Sequence, residues 1–433
     1  MSRYISPLWL FLAILSCFVL FAQSVSGPSG TLAFRRGGDI WIKPLPDGAA
    51  VQMSQGGGAE YPEWSSSGQW LSFRQNGKLT VMPANGNRGE RRVLDGSGVW
   101  SPMRDELAVG DPDGLCVLSF DGNGQQKRVV LRRPKSGSIG DIAWSPDGNR
   151  LGVTVNAHLW RVNVDGTSAE ELLTAGEHGS LEIRGWSSDG RHIVVAVNGD
   201  SSASIASDGL PLTFVPADGG RPHTFASSVL HYPDSMSVSR DRAEVLVSAG
   251  CCREDWHNKR VALVDPATGS FTLLTSATAA AVSPSWSPEG DRIAYVSAPE
   301  PEARAISGTV VLPNGQISPR AANGKTVVDS VGGGEPARQA LAKRRIWIMN
   351  ADGKQMRQIT SDPQYRDESP LWSRNGQYIL FARLDRQDNA SLWSINLNSG
   401  ALQKVVDQVD GQLGWFGYYG HINWYASVAW HQE

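Results

Sequence analysis

A chain of 433 residues is long enough for two or three ordinary domains or for one large repeat array. Its 47 glycines, 24 prolines and 16 tryptophans, with few stretches of helical period, point to many short strands joined by turns. The formal net charge of −3 supplies no basic field for phosphates and excludes nucleic acid as an expected partner.

In chain order, the first segment, "MSRYISPLWLFLAILSCFVLFAQSVSG", carries one early cation, Arg3, and then an apolar run from Leu8 to Ala22. That run has the length of a signal-peptide core and is short for a membrane span; Ala22 and Ser24 are small residues of the kind a signal peptidase reads. Residues 1–26 are therefore expected to be a signal peptide. Residues 27–433 would be an exported body, periplasmic or extracellular, with no membrane span after cleavage. An uncleaved N-terminal anchor is the alternative.

The segment "TLAFRRGGDIWIKPLPDGAAVQMS" from Thr31 reads as the second, third and fourth strands of a unit that lacks its first. A phrase then recurs: "PEWSSSGQWLSF" at Pro62, "IAWSPDGNRLGV" at Ile142, "RGWSSDGRHIVV" at Arg184, "PSWSPEGDRIAY" at Pro284 and "PLWSRNGQYILF" at Pro370. With its degenerate versions it has seven anchors, Trp64, Trp100, Trp144, Trp186, Val238, Trp286 and Trp372. Their spacing is near about forty residues, apart from a long gap before Trp372, which is a blade-like period. In one unit "DIAW", "RLGVTV", "HLWRVNV" and "EELLT" are four strands, joined through the turns "SPDG" and "DGTS". A lone four-stranded sheet cannot bury both faces; arranged radially, each packs on the next, with tryptophan as a filler.

These phrases resemble the TolB-type β-propeller family over almost the whole chain from Thr31, most closely in "AWSPDGNRLGV", "SWSPEGDRIAYV" and "RRIWIMNADGKQMRQITSDPQYRDESPLWSRNGQYILFAR". The resemblance is weaker at "WSPMRDELAV", and the tryptophan is missing at "VSRDRAEVLV". The tail "WFGYYGHINWYASVAW" is similar to the ending of a group of exported TolB-like proteins. The resemblance implies an all-β, closed propeller of four-stranded antiparallel blades that serves as a binding scaffold; it implies no reaction. Counting gives eight blades, or seven if the Val238 unit merges with its neighbour. The segment from His421 to Trp430 would supply the missing first strand, so that the two termini share one blade.

Strand parity assigns the loops to two faces. Turns between strands one and two, such as "SPDG" and "SPEG", share a face with the three-to-four turns; all are short, so this face reads as structural. On the other face the two-to-three connections are minimal in blades one to four. They swell to "NGDSSASIASDGL" in blade five, "AGCCREDWHNKR" in blade six and an insertion at about 297–343 inside blade seven. The insertion holds a hairpin-like "TVVLPNGQIS" and a helix-forming "EPARQALAK". Neighbouring enlarged loops suggest one composite surface; separate tolerated insertions are the other reading.

Two crossing segments fall on that face. One brings Tyr365, Arg366, Asp367 and Glu368, the other Trp415, Tyr418, Tyr419, His421 and Trp424. Aromatics mixed with arginine and acids mark candidate binding residues. The competing account is that the arginine between acids pins one blade to the next and the tail aromatics seal the ring.

Chemical motifs are sparse. Gly-x-Ser-x-Gly, His-Glu-x-x-His, phosphate loops and dinucleotide fingerprints do not occur. Asp111 and Asp113 in "GDPDG" read as a plain turn, and Cys116 as a small buried residue. Adjacent Cys251 and Cys252 are candidates for a vicinal disulfide or, as two thiols with Asp255 and His257, for holding a metal, though one short loop makes no specific site. No catalytic residue, metal or cofactor is expected. The leading expectation is a monomeric, non-catalytic exported scaffold that binds a protein or cell-envelope component through the enlarged loops of blades five to eight. Alternatives are a regulatory propeller for a separately encoded peptidase or transporter, or a glycan- or peptide-acting enzyme. Some propellers that resemble this chain are polysaccharide lyases with a histidine-held metal. Here His158, His178, His192, His223, His231, His257 and His421 are scattered without ligand spacing.

Overall fold

The repeat phrase folds as its residues dictate. Ile139–Trp144, Arg150–Val155, His158–Asn163 and Ala169–Thr174 form one antiparallel sheet in chain order. Their first turn is fixed by Ser145, whose Oγ donates to Asp147 Oδ1 at 2.6 Å and accepts from the Arg150 N–H at 2.9 Å. Gly148 then takes φ +67°, a region that a side chain would strain. Ser187 repeats the device with Asp189 and His192.

The structure is a computed structural model that describes residues 27–120, 126–132, 137–176, 179–198, 209–250, 254–301, 309–311, 317–319, 334–411 and 419–432. The expected signal peptide lies outside these residues. Among them no helix is long and apolar enough to cross a membrane. Six four-stranded sheets lie in residues 30–52, 59–94, 98–132, 139–174, 279–358 and 366–406, the first taking its fourth strand from Val428–His431. An eight-stranded sheet over 180–273 divides into two sets of four that meet at one residue pair, Val229 with Ala249. We number these four-strand units one to eight in chain order. Val428–His431 lies beside Gly30–Arg36, pairing Phe34 with Val428 and Leu32 with Trp430, so the two ends of the chain share unit one.

Apolar clusters join each unit to the next. Phe73 and Leu71 pack on Ile40 and Ile42, Trp100 on Val81, Trp144 on Val117, and Trp186 on Leu159. The series continues with Val245 on Phe225, Trp286 on Leu246 and Trp372 on Ile346. An eighth cluster returns from Leu380 and Leu392 of unit eight to Leu32 and Phe34 of unit one, so the packing runs round a ring.

The tryptophan earns its recurrence by hydrogen bonding as well as volume. Trp64 Nε1 donates to Ala429 O, Trp144 Nε1 to Val99 O, Trp186 Nε1 to Ala143 O and Trp372 Nε1 to Ser285 O, at 2.8 to 3.2 Å. Each bond ties one inner strand to the preceding unit. Arginines add a second tie on the turn side: Arg150 donates to Gly190 O at 2.9 Å and Arg292 to Gly376 O at 3.0 Å. Their guanidinium groups lie over Trp186 and Trp372. Trp286 Nε1, which follows the unit without a tryptophan, has no acceptor among the described residues. Trp144→Phe is therefore expected to cost about 2 kcal/mol, because a buried carbonyl loses its donor. Trp286→Phe should cost distinctly less, and the urea midpoints of the two variants at unchanged slope measure the difference.

The blade-seven insertion contains a helix at Gly334–Ala342, and Thr309–Val311 pairs with Ile317–Pro319. The helix buries Ala337, Ala340 and Leu341 against Trp256 of the unit-six loop.

Candidate functional site

The side of the ring that carries the long connections is consolidated around one arginine. Arg344 follows the Gly334–Ala342 helix and is only 4 % exposed. Its guanidinium lies 2.7 Å from Asp255 Oδ1 in the unit-six loop and 2.9 Å from Glu368 Oε1 in the first strand of unit eight. It also donates to Gly420 O in the C-terminal segment at 3.3 Å. Glu368 takes a second cation, Arg366, at 3.2 Å and accepts from Trp424 Nε1 at 2.8 Å. Burial pushes the Glu368 carboxyl up, but Arg366 and Arg344 more than offset this and hold it below its ordinary value. Asp255 is raised instead, because desolvation outweighs the pull of Arg344. Two cations thus face two carboxylates in a nearly dry site, drawn from three loops and the chain's end.

The segment Tyr419–Ser427 lies across the axis of the ring on this side. His421 Nε2 is 2.7 Å from Asp234 Oδ1, and its ring stacks on Tyr232 with centroids 3.8 Å apart. Burial lowers the His421 affinity for a proton, but the Asp234 carboxylate overrides it and the net shift is upward. Ser283 Oγ donates to Asp234 Oδ2 at 2.5 Å. Serine and histidine therefore both address the carboxylate, an order that brings no nucleophile to a base. Asn423 Nδ2 donates to the Tyr61 hydroxyl at 3.2 Å, which reaches unit two on the far side of the axis.

These contacts locate the sequence-predicted residues. Arg366 and Glu368 belong to the Arg344 network, and Asp367 is fully buried in a two-point pair with Arg383, at 2.6 and 3.1 Å. Tyr365 is half-buried, its ring under the Arg383 guanidinium at 4.9 Å and beside Trp393. Tyr419, His421 and Trp424 are buried in the crossing segment. Trp415 and Tyr418 lie outside the described residues, as do Cys251 and Cys252. The structure thus brings most of the predicted set together beneath the face, with their side chains engaged chiefly by Arg344, Arg383, Asp234 and Tyr232. Arg344 and Asp234 complete the set and were not singled out in the sequence; Asp255, considered there only beside Cys251 and Cys252 as a metal ligand, pairs with Arg344 instead. Cys116 is buried, its thiol pushed up to about 12 by burial and by Asp111. Lys127 holds Asp111 and Asp113 together at 2.6 and 2.5 Å. Among the described residues no group of His, Cys, Asp and Glu could hold a metal ion.

The opposite face, read from its short turns as structural, holds a cavity of about 980 Å³. Every unit contributes to its wall, among them Glu63 and Trp64, Met103, Pro146, Ser188, Val238, Trp286, Trp372 and Ala429, so it lies on the ring's axis. Tyr425 of the crossing segment lines it too, which makes that segment the floor.

No family model and no curated protein matches the chain. Solved structures do. Dihydro-heme d1 dehydrogenase NirN, solved in complex with DHE, superposes with a TM-score of 0.57 at 11% identity, over 89% of this chain and 74% of that one. Dipeptidyl peptidase 4 of Porphyromonas gingivalis gives 0.55 at 11% identity, over 88% of this chain and 60% of its own. A TolB structure from Agrobacterium tumefaciens is matched at 19% identity over 71% of this chain and 95% of its own, with a TM-score of 0.36. Together with the ring of four-stranded sheets, the first two likenesses decide the fold. The chain is a β-propeller. Its units are blades, the Arg344 network joins the elaborated loops of blades six and seven to the inner strand of blade eight, and the cavity is the mouth of the propeller's axial channel.

Proposed function

We propose that this propeller is an exported binding scaffold, without chemistry of its own, that engages a protein or cell-envelope component through the face of blades five to eight, where the blade-five loop at 199–208 lies outside the described residues. The observation that carries this reading is the Arg344 network. Separate tolerated insertions have no reason to share one buried arginine. Here the helix of the blade-seven insertion, the Asp255 loop, the Glu368 strand and the C-terminal segment are clamped into a single platform. Rigid support of neighbouring loops is what a recognition surface needs, since ordering them beforehand lowers the entropy lost on binding. The polar residues left facing outward, such as Gln339 on the helix and Gln364 on the blade-eight crossing, would form the contact surface above it.

A photo-reactive residue placed in turn at Gln339 and Gln364, and at Asn149 and Gln377 on the opposite face, tests the assignment in the intact envelope. Discrete cross-linked species are expected from the first pair and none from the second. Equal or reversed yields would remove the proposal.

A further inference from the structure

The axial cavity contains a charge that the repeat does not account for. The position one residue before each repeat anchor faces the same partner position on strand two of its own blade. Glu63 pairs with Ser72, Val99 with Ala108, Ala143 with Gly152 and Gly185 with Val194. The series continues as Ser237 with Leu246, Ser285 with Ala294, Leu371 with Leu380 and, on the C-terminal strand, Ala429 with Ala33. Eight equivalent inner-strand positions thus carry one carboxylate and seven uncharged side chains. Glu63 is half-buried, and among the described residues no cation lies close enough to hold its charge. The Trp100 N–H supplies a hydrogen bond, while Tyr61 and Tyr425 lie close by, their rings 6.2 Å apart. The lining around it is apolar and aromatic, with Trp64, Met103, Trp286 and Trp372 toward the turn face and Pro62 and the 53 % exposed Tyr425 toward the floor. The charged groups Arg240 and Arg374 come from the turns at the rim, on the solvent side of the anchors, and His431 packs against Trp64.

We propose that this cavity is a binding site for an organic ammonium group carried on an apolar or aromatic body, with the Glu63 carboxylate as its counter-ion. A single anion in this cavity beside the exposed Tyr425 ring attracts such a cation twice, by direct charge and by the ring quadrupole. An anionic ligand would meet the rim arginines but would carry its charge down toward Glu63. A neutral apolar ligand would leave the carboxylate without compensation. The depth of Glu63 below the anchors selects a ligand that presents the ammonium at its leading end. This site is on the opposite face from the protein-binding surface proposed above and does not depend on it.

The test is calorimetric titration of the full-length protein with three probes at pH 8: phenethylammonium, phenethyl alcohol, and an apolar tripeptide amide with its amino terminus free or acetylated. Phenethylammonium should bind at least tenfold more tightly than the alcohol. Glu63→Gln should abolish that preference, while Glu63→Asp, which keeps the charge, should retain part of it. Phenethylammonium affinity in the wild type should rise as pH increases through about 7, where burial has placed the Glu63 titration. If the free-amino peptide exceeds its acetylated form tenfold, the site takes chain ends; if only the small amine binds, it takes free amines. Equal binding of amine and alcohol, binding unaffected by Glu63→Gln in a folded variant, or no binding of any amine overturns the proposal.

Discussion

Arg344→Met is expected to destabilise the protein by about 3–5 kcal/mol at pH 7, the range for removing one partner from a buried charge set. The loss falls unevenly. Glu368 keeps Arg366 at 3.2 Å and the Trp424 indole, whereas Asp255 loses its nearby guanidinium in a site that already raises its pKa by desolvation. In the variant the Asp255 pKa rises further above its unfolded value, so folding takes up a proton. Stability is then greatest at low pH and falls as pH rises through the folded-state pKa, so the deficit relative to wild type should shrink on acidification. Urea midpoints at pH 5 and pH 7 measure this. Adding Asp255→Asn to Arg344→Met should recover a substantial part of the loss at pH 7. A deficit under about 1 kcal/mol, or one independent of pH, would show that the network does not clamp the platform.

Glu63→Gln is expected to make the protein more stable than wild type at pH 8 and equal to it at pH 4. Desolvation lifts the Glu63 carboxyl from 4.5 to about 7, against a single lowering hydrogen bond from Trp100. A raised folded-state pKa means that the folded protein holds a proton which the unfolded chain releases. The contribution is therefore fully present below pH 4.5 and is lost as pH rises through about 7. At about 1.4 kcal/mol per pKa unit this amounts to up to about 3 kcal/mol, lessened by water that reaches the half-buried group from the cavity. Glutamine has no such loss. Thermal or urea unfolding of both proteins across pH 4 to 8 would reveal the crossover, and parallel curves would place Glu63 in contact with bulk solvent.

The architecture was legible because its determinants are local. Trp144, Ser145, Asp147 and Gly148 define a strand end and its turn within a few residues, and the missing first strand before Thr31 pointed to the closing pair at Val428–His431. The Arg344 network was not legible. Its members, Asp255, Arg344, Glu368 and the Gly420 carbonyl, come from four distant segments, and each charged one looks alone like an ordinary loop charge. For the same reason Arg366, Asp367 and Glu368 read as a surface patch. Their burial depends on Arg344, from the connection after the blade-seven helix, and Arg383, from the neighbouring strand, and on the bulge at Ser369, whose φ of 53° shifts the register before Trp372. Glu63 is a different case. Once the anchors are aligned, the column before them reads Glu, Val, Ala, Gly, Ser, Ser and Leu. The signal was there, and only the axial geometry gives it meaning.

The clasp of unit one sets an order on folding. Gly30–Arg36 is synthesised before every other described strand of the ring, and its neighbour Val428–His431 after all of them. Until Val428–His431 arrives, the inner edge of the opening strand has no partner and the closing cluster of Leu32 and Phe34 lacks Val428. Removing those four residues would therefore reopen the ring at unit one, a far larger consequence than their number suggests.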